Sequence, residues 1–465
     1  MGCSDILGIS TPLGSLHRLQ GLVTRWRAIP PDRRPLLVFG GLIATFAPDA
    51  LLKEFPEAVL VIGEGEEALV RLTEVVGLHP EVLWRQVFAE ASIPNLMYQA
   101  GDQVIRTVRR NINLRDAPPP DRPFLNELLL RGGIVRAEAS RGCSYGRCSF
   151  CAIQHKYCDE AGWRDVKISR IVQELGDLSL AGARHPYFTD EDFIGNDPLR
   201  ALALARAIER EKSLGRISSE LTLYVDMRAA SVLARGNAGR PSGLAVLKGL
   251  QAAGLREVFV GIESGAVEQV QRYKKPATTQ RNLQALHRLR DLGLEVDIGF
   301  IFFDPEMTLD EAATNLDFLR HAGLWNHYAR LTKEVRLEAG TPLVELYRQK
   351  DLIAGPLDVD ELTFPYRWRD TRVEAVHNTF RAWERLDGGR VYELQAASRG
   401  EVPSENLRRR RCELLGQVRA VELDVLHSIV DSTQQNKDSA SLDLSPFTQR
   451  RSDLLDSWQY SERSR

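Results

Sequence analysis

Short apolar runs alternate along this chain with longer segments in which apolar residues recur every three or four positions. The first run predicts a strand over 5–10, and Leu16, Leu19, Val23 and Trp26 then follow at helical spacing, with Pro30-Pro31 as the stop. Strands predicted over 35–39 and 58–62 run into glycine turns, Gly40-Gly41 and Gly63-Glu64-Gly65, and each turn leads into a helix. Strands alternating with helices in this way predict a parallel sheet covered on both faces. Glycine after a strand lets a backbone come close to a ligand at the carboxyl edge of such a sheet. On periodicity alone, a pair of tight turns that bind nothing is the simpler reading.

Residues 93–125 interrupt the alternation. A small hairpin near 93–101 precedes Pro118-Pro119-Pro120, which favour an extended spacer between a first domain, 1–92, and a second beginning at 126. From 134 to 337 strands and helices alternate again, about six times. Strands are predicted over 134–139, 186–189, 221–226, 257–262, 294–303 and 331–337, with helices over 168–181, 199–212 and 308–322 among the connections. Six right-handed strand–helix units predict a partial TIM-type (β/α)6 barrel over 126–342, within an α/β fold. Residues 343–430 read as a helical region, in which Phe364-Pro-Tyr366-Arg-Trp368 is either core or a cap over the barrel opening. From Asp431 apolar residues are few, and 431–465 reads as a disordered tail.

Composition narrows the class. A chain of 465 residues holds two or three domains, and 43% hydrophobic residues with a mean hydropathy of -0.26 suit a soluble globular protein. Sixty-one basic against 63 acidic residues leave a net charge of -2, so no global field favours nucleic acid or a membrane surface. No apolar run reaches the ~20 residues of a membrane span, and Met1-Gly-Cys-Ser-Asp lacks a secretory signal's charged and apolar regions, which predicts a cytoplasmic protein. Six cysteines, three of them crowded together, make no disulfide framework and point to a reducing compartment.

Those three are Cys143, Cys148 and Cys151, on the loop Ser140-Arg-Gly-Cys143-Ser-Tyr-Gly-Arg-Cys148-Ser-Phe150-Cys151 that follows the first predicted barrel strand. Thiolates are soft ligands, and such a cluster on one loop can face a single inorganic centre. Three are one short of a closed tetrahedral site, whereas an iron–sulfur cubane held by three leaves one iron open to a small molecule. A structural zinc site with Cys158 as the fourth ligand is the competing reading.

The loop resembles the cluster loop of radical S-adenosylmethionine (SAM) enzymes, in particular those with an N-terminal cobalamin-binding domain. The likeness extends from about Ile6 to Pro342, and the first cysteine spacing is one residue longer here, Cys-x4-Cys-x2-Cys against the usual Cys-x3-Cys-x2-Cys. The resemblance implies that Cys143, Cys148 and Cys151 hold a 4Fe–4S cluster, with Phe150 before the last of them and Cys158 free. It implies that SAM meets Asp190 in Thr189-Asp-Glu-Asp-Phe193, Arg228 at the third strand end, and Glu263 and Ser264 in Gly261-Ile-Glu-Ser-Gly265. Gly299 would admit adenine. Gly40, Gly41 and Thr45, with Gly63, Glu64 and Gly65, resemble the two loops that hold cobalamin's nucleotide tail, in a Rossmann-like domain that is partial because Met1 falls where the family's second strand begins. The cobalt-ligating Asp-x-His-x-x-Gly motif is absent, and His17 reads as an ordinary helix residue.

The activity so implied is cobalamin-dependent methylation of an unactivated carbon in a natural-product, peptide or tetrapyrrole-type substrate, with an electron donor such as flavodoxin or ferredoxin as partner. Radical rearrangement, cyclisation or oxidation without methyl transfer is the alternative within the class. A zinc-stabilised binding module is the alternative outside it.

Overall fold

In the strand Leu36–Gly40, Leu37 and Phe39 enter one apolar core while Leu36 and Val38 enter another, so a single strand carries two buried faces. This is the centre of the first of two compact units in the computed structural model, which describes residues 5–78, 88, 92–157, 162–400, 404–437 and 439–463. The sheet order is β1 (Ile6–Ser10), β2 (Leu36–Gly40), β3 (Val59–Val61), β4 (Leu96–Ala100) and β5 (Gln103–Arg106). The first three are parallel, as the alternation predicts, and β4 and β5 are antiparallel additions. The segment read as a connector from 93 therefore continues the sheet, with Tyr98 fully buried.

This unit comprises Met1–Ala117, Tyr145–Gly162 and Arg336–Arg367. The last piece differs from the helical expectation for 343 onward. Helix Pro342–Gln349 is followed by extended segments bridged at Glu338–Thr363 and Ile353–Tyr366. Leu362 joins the same core as Phe39, and Asp360 Oδ1 accepts the Leu16 amide at 2.8 Å. These contacts link positions far apart in sequence, which no local periodicity encodes.

The second unit comprises Pro118–Ser144, Trp163–Val335 and Trp368–Arg465. Its sheet is parallel, with neighbours in chain order: β6 (Arg136–Ala137), β9 (Tyr187–Phe188), β10 (Leu223–Arg228), β11 (Leu255–Glu263), β12 (Glu295–Phe303) and β13 (Lys333–Glu334). Between β6 and β9 two short strands, β7 (Ser140–Arg141) and β8 (Arg164–Asp165), pair antiparallel. Helices Ile168–Leu180, Pro198–Ser213 and Leu309–His321 stand within a residue or so of their predicted positions. The last starts at a capping box, Thr308 with Glu311. Residues from all six parallel strands, among them Arg136, Tyr187, Asp226, Glu257, Asp297 and Lys333, line one cavity of about 250 Å3.

The expected disordered tail is corrected: helix Glu405–Gln434 runs into its start, and Ser445–Arg463 is helical. Arg451, Leu455 and Trp458 fall at i, i+4 and i+7, one face of that helix. Leu455 and Trp458 enter a core with Val391, Leu394, Leu415 and Val418. Arg451 is fully buried, bonded to Asp387 and the Trp383 carbonyl and stacked on the Trp383 ring at 3.8 Å. Low average hydropathy concealed this seam, because three well-placed side chains are enough to seat one helix. Among the described residues no helix is long and apolar enough to cross a membrane.

Candidate functional site

The start of the cysteine loop is gripped by three consecutive carboxylates at the end of β9. Asp190 accepts the Ala139 amide at 3.0 Å and the Ser140 hydroxyl. Glu191 accepts the Gly142 amide at 2.9 Å. Asp192 accepts the Ser144 hydroxyl at 2.6 Å and its amide at 3.3 Å. Cys143 is thus flanked on both sides by anchored backbone. The grip draws the chain out of the sheet after Ala137, so the strand predicted over 134–139 is only two residues long. Arg200, almost buried, supports the same turn by donating to the Ala139 carbonyl at 2.6 Å.

Asp190 therefore departs from its expected place on SAM. Its side chain is entirely buried, both oxygens serve the loop, and burial pushes its pKa up to about 7. Ser264 departs as well. It is fully buried and bonds Gln269 and Asn315, which makes it a strut of the turn after β11.

Arg228 and Glu263 stand differently. Arg228, at the carboxyl end of β10, gives its Nε–H to Asp192 at 2.8 Å, and its terminal nitrogens have no bonded partner among the described residues. A guanidinium held by Nε presents its outer edge to a planar anion such as a carboxylate. Glu263 ends β11 at φ +70°, a left-handed conformation that costs a non-glycine residue of order 1–3 kcal/mol. The register to β12 shifts between Gly261 and Glu263, and Lys275 Nζ lies 2.9 Å from Glu263 Oε1. Space is tight around this carboxylate. A Cβ on Gly299 would lie 2.9 Å from Phe259 and 3.3 Å from Glu263, and one on Gly261 would lie 2.3 Å from Glu263.

In the first unit the two glycine loops are joined by Thr45, whose hydroxyl donates to the Gly41 carbonyl at 2.8 Å and accepts the Gly63 amide at 3.0 Å. Gly41 is exposed at φ +98°, and Gly40, Gly63 and Gly65 are half-buried. Glu64 departs from a ligand-facing place. It is buried, its carboxylate accepts the Ile112 amide at 2.8 Å, and its carbonyl accepts Asn95. Arg109 reaches the later cysteine segment by donating to the carbonyls of His155 and Lys156, at 3.1 and 3.2 Å. Ser149, beside Cys148, accepts the Leu343 amide at 2.8 Å.

Cys143, Cys148 and Cys151 are in no disulfide and all partly exposed, and Phe150 between the last two is half-buried. Cys158 lies outside the described residues. Among the described residues no three His, Cys, Asp or Glu side chains converge on one point, as a single ion with ligands ~2.0–2.3 Å away would require.

The cavity of the second unit opens at the amino-terminal half of its sheet, and tyrosines, carboxylates and arginines are among the residues that line it. Tyr187 donates to Asp226 at 3.0 Å, Tyr224 to Asp297 at 3.0 Å and Tyr328 to Glu257 at 2.7 Å. Burial pushes Asp226 up to about 8 and Glu257 up to about 7. Arg408 is buried here and bonds Glu295 at 2.5 and 2.6 Å.

Sequence reasoning missed Glu191, Asp192 and Lys275 as participants. The acidic run was visible, but nothing local tells which of its carboxylates turns inward.

Residues 138–319 match the model of the radical SAM superfamily, and the chain carries a radical SAM domain. Among curated proteins it is 30% identical to 4'-phospho-dehydrooxetanocin synthase of Priestia megaterium over 62% of this chain and 38% of that protein. It is 24% identical to a putative methylthiotransferase of Methanocaldococcus jannaschii over 63% of this chain and 60% of that protein. The chain thus spans about two-fifths to three-fifths of these relatives. Its fold matches the cobalamin-dependent SAM radical enzyme OxsB with aqua-cobalamin bound, with a TM-score of 0.78 at 22% identity over 94% of this chain and 66% of that one. It also matches the radical SAM methyltransferase TsrM of Kitasatospora setae, with a TM-score of 0.60 at 19% identity over 74% of this chain and 67% of that one. At such identities the likeness is one of fold.

Proposed function

We propose that the chain is a radical SAM enzyme in which Cys143, Cys148 and Cys151 hold a 4Fe–4S cluster and the glycine loops of the first unit hold cobalamin. The observation that carries this reading is the cysteine loop, fastened at its start by three carboxylates at a strand end with Arg228 presented beside them. The donor set fits: three partly exposed cysteines on one loop, none in a disulfide, suit a cluster that leaves one iron open. The glycine loops fit as well, since exposed or half-buried backbone at the ends of β2 and β3 can approach a large ligand closely. Lining by all six strands supports a sheet curled into the partial barrel.

Bound in this way, the cofactors would supply a 5′-deoxyadenosyl radical that removes hydrogen from an unactivated carbon, and a methyl group to replace it. The protein's own work is placement. Arg228 would take the SAM carboxylate through its outer nitrogens. Glu263, fixed by the register shift and by Lys275, would accept from the ribose hydroxyls. Gly261 and Gly299 keep that region free of side chains. The substrate would be a small molecule or peptide, and a flavodoxin- or ferredoxin-type donor would deliver the electron. A radical reaction without methyl transfer is the second reading, favoured by the relative that is a dehydrooxetanocin synthase rather than a methylase.

The test is anaerobic reconstitution with iron, sulfide and corrinoid measured on one sample. Replacing Cys143, Cys148 or Cys151 by Ala should abolish iron binding, and Cys158→Ala should retain it. Loss of the cluster in Cys158→Ala would revive the four-cysteine zinc site. Methylation predicts S-adenosylhomocysteine and 5′-deoxyadenosine together, whereas deoxyadenosine alone selects the second reading.

A further inference from the structure

Asp192 is entirely buried and is the meeting point of two parts of the site. Its Oδ2 accepts from Ser144, through Oγ at 2.6 Å and N at 3.3 Å, and from Arg228 Nε at 2.8 Å. Its Oδ1 accepts the Gly195 amide at 3.3 Å, and its carbonyl accepts Trp163 Nε1 at 2.7 Å. Every bond to this residue comes from a donor, and one oxygen serves both the residue after Cys143 and the arginine at the end of β10. Asp190 and Glu191 grip the same loop, yet neither bonds Arg228.

We propose that Asp192 is a positioning residue that couples the cysteine loop to the SAM-carboxylate arginine, so that loop geometry and SAM affinity are set together. The inference rests on the reading of Arg228 as a SAM ligand. With Nε fixed by a buried anion, the guanidinium cannot rotate freely, and its outer edge points one way. The same oxygen restrains Ser144, so a shift of the loop moves the acceptor on which Arg228 depends. Removing the charge weakens both bonds. Asparagine must also place an amide N–H against donors, either at Gly195 or at the Ser144 and Arg228 position, so it cannot satisfy both sides.

The experiment uses the full chain, with cluster and SAM supplied. Asp192→Asn should bind SAM about tenfold more weakly, the scale expected for loss of a charge-assisted hydrogen bond. At equal iron loading, the electron paramagnetic resonance change that SAM produces on the reduced cluster should shrink. A double-mutant cycle of Ser144→Ala with Arg228→Lys should be non-additive in SAM affinity by threefold or more, and additive when Asp192→Asn is also present. Additive effects with Asp192 intact, or an unchanged SAM response in Asp192→Asn at equal iron content, would overturn the coupling. A wild-type protein that assembles the cluster but binds no SAM would instead sink the underlying functional reading.

Discussion

Lys275 Nζ stands 2.9 Å from Oε1 of Glu263, a residue that the end of β11 holds in the left-handed region at φ +70°. Both side chains are nearly buried, at 14% and 10% exposure, so the pair is a partly desolvated charge contact beside a strained turn. Breaking such a pair from one side leaves a charge without its partner, a loss of roughly 3–5 kcal/mol when burial is complete. Lys275→Met should therefore lower the melting temperature by several degrees. Glu263→Gln should lower it less and should weaken SAM binding about tenfold, read by equilibrium binding to the reconstituted protein. Unaltered SAM affinity in Glu263→Gln would place the ribose elsewhere.

Gly261→Ala provides a steric version of the same test. Its Cβ would fall 2.3 Å from the Glu263 carboxylate and 2.9 Å from Lys275, so the pair has to move. SAM affinity should drop by at least as much as in Glu263→Gln, while iron content stays at the wild-type level. Equal affinity would show that the carboxylate has room the geometry denies.

Thr45 offers a test of the first unit. Thr45→Ser keeps a hydroxyl for both Gly41 and Gly63, whereas Thr45→Val leaves the Gly63 amide without its acceptor, a loss of about 1–3 kcal/mol. Corrinoid retained after reconstitution should be near wild type in Thr45→Ser and clearly reduced in Thr45→Val. Equal retention in both would detach Thr45 from cobalamin binding.

The buried acids of the second unit predict a pH dependence with a definite sign. Burial raises Asp226 to about 8 and Glu257 to about 7, so each holds its proton more tightly folded than unfolded. Their stabilisation is fully present below the unfolded carboxylate pKa of about 4 and is lost as pH rises through the folded values. The melting temperature should fall between pH 7 and 8.5, a window above the ordinary histidine range, and Asp226→Asn should flatten the slope. A wild-type melting temperature that rises across this window would contradict the assignment.

Removing 445–463 should destabilise the second unit. The deletion strips Leu455 and Trp458 from a shared core and leaves Asp387 without Arg451. Burial of two large apolar side chains is worth about 1.5–3 kcal/mol each, so the melting temperature should drop by many degrees. An unchanged melting temperature would restore the dispensable tail that composition alone suggests.

What the sequence by itself determined is local and periodic. The α/β alternation, the main strands, helices starting at Pro198 and Leu309, and three thiols on one loop all follow from spacing and from neighbouring residues. Tertiary structure decided which way each polar side chain turns. Asp190, Glu64 and Ser264 look like ligands in the sequence but are buried struts, while Asp192, Glu191 and Lys275 gain their roles from partners on other elements. It also decided that 336–367 folds with the first unit, through Leu362 in its core and Asp360 on the Leu16 amide, and that the tail packs as a helix. The reason is common to all of these. A buried polar group must find its partner wherever the fold supplies one, and the sequence near that group does not say where that is.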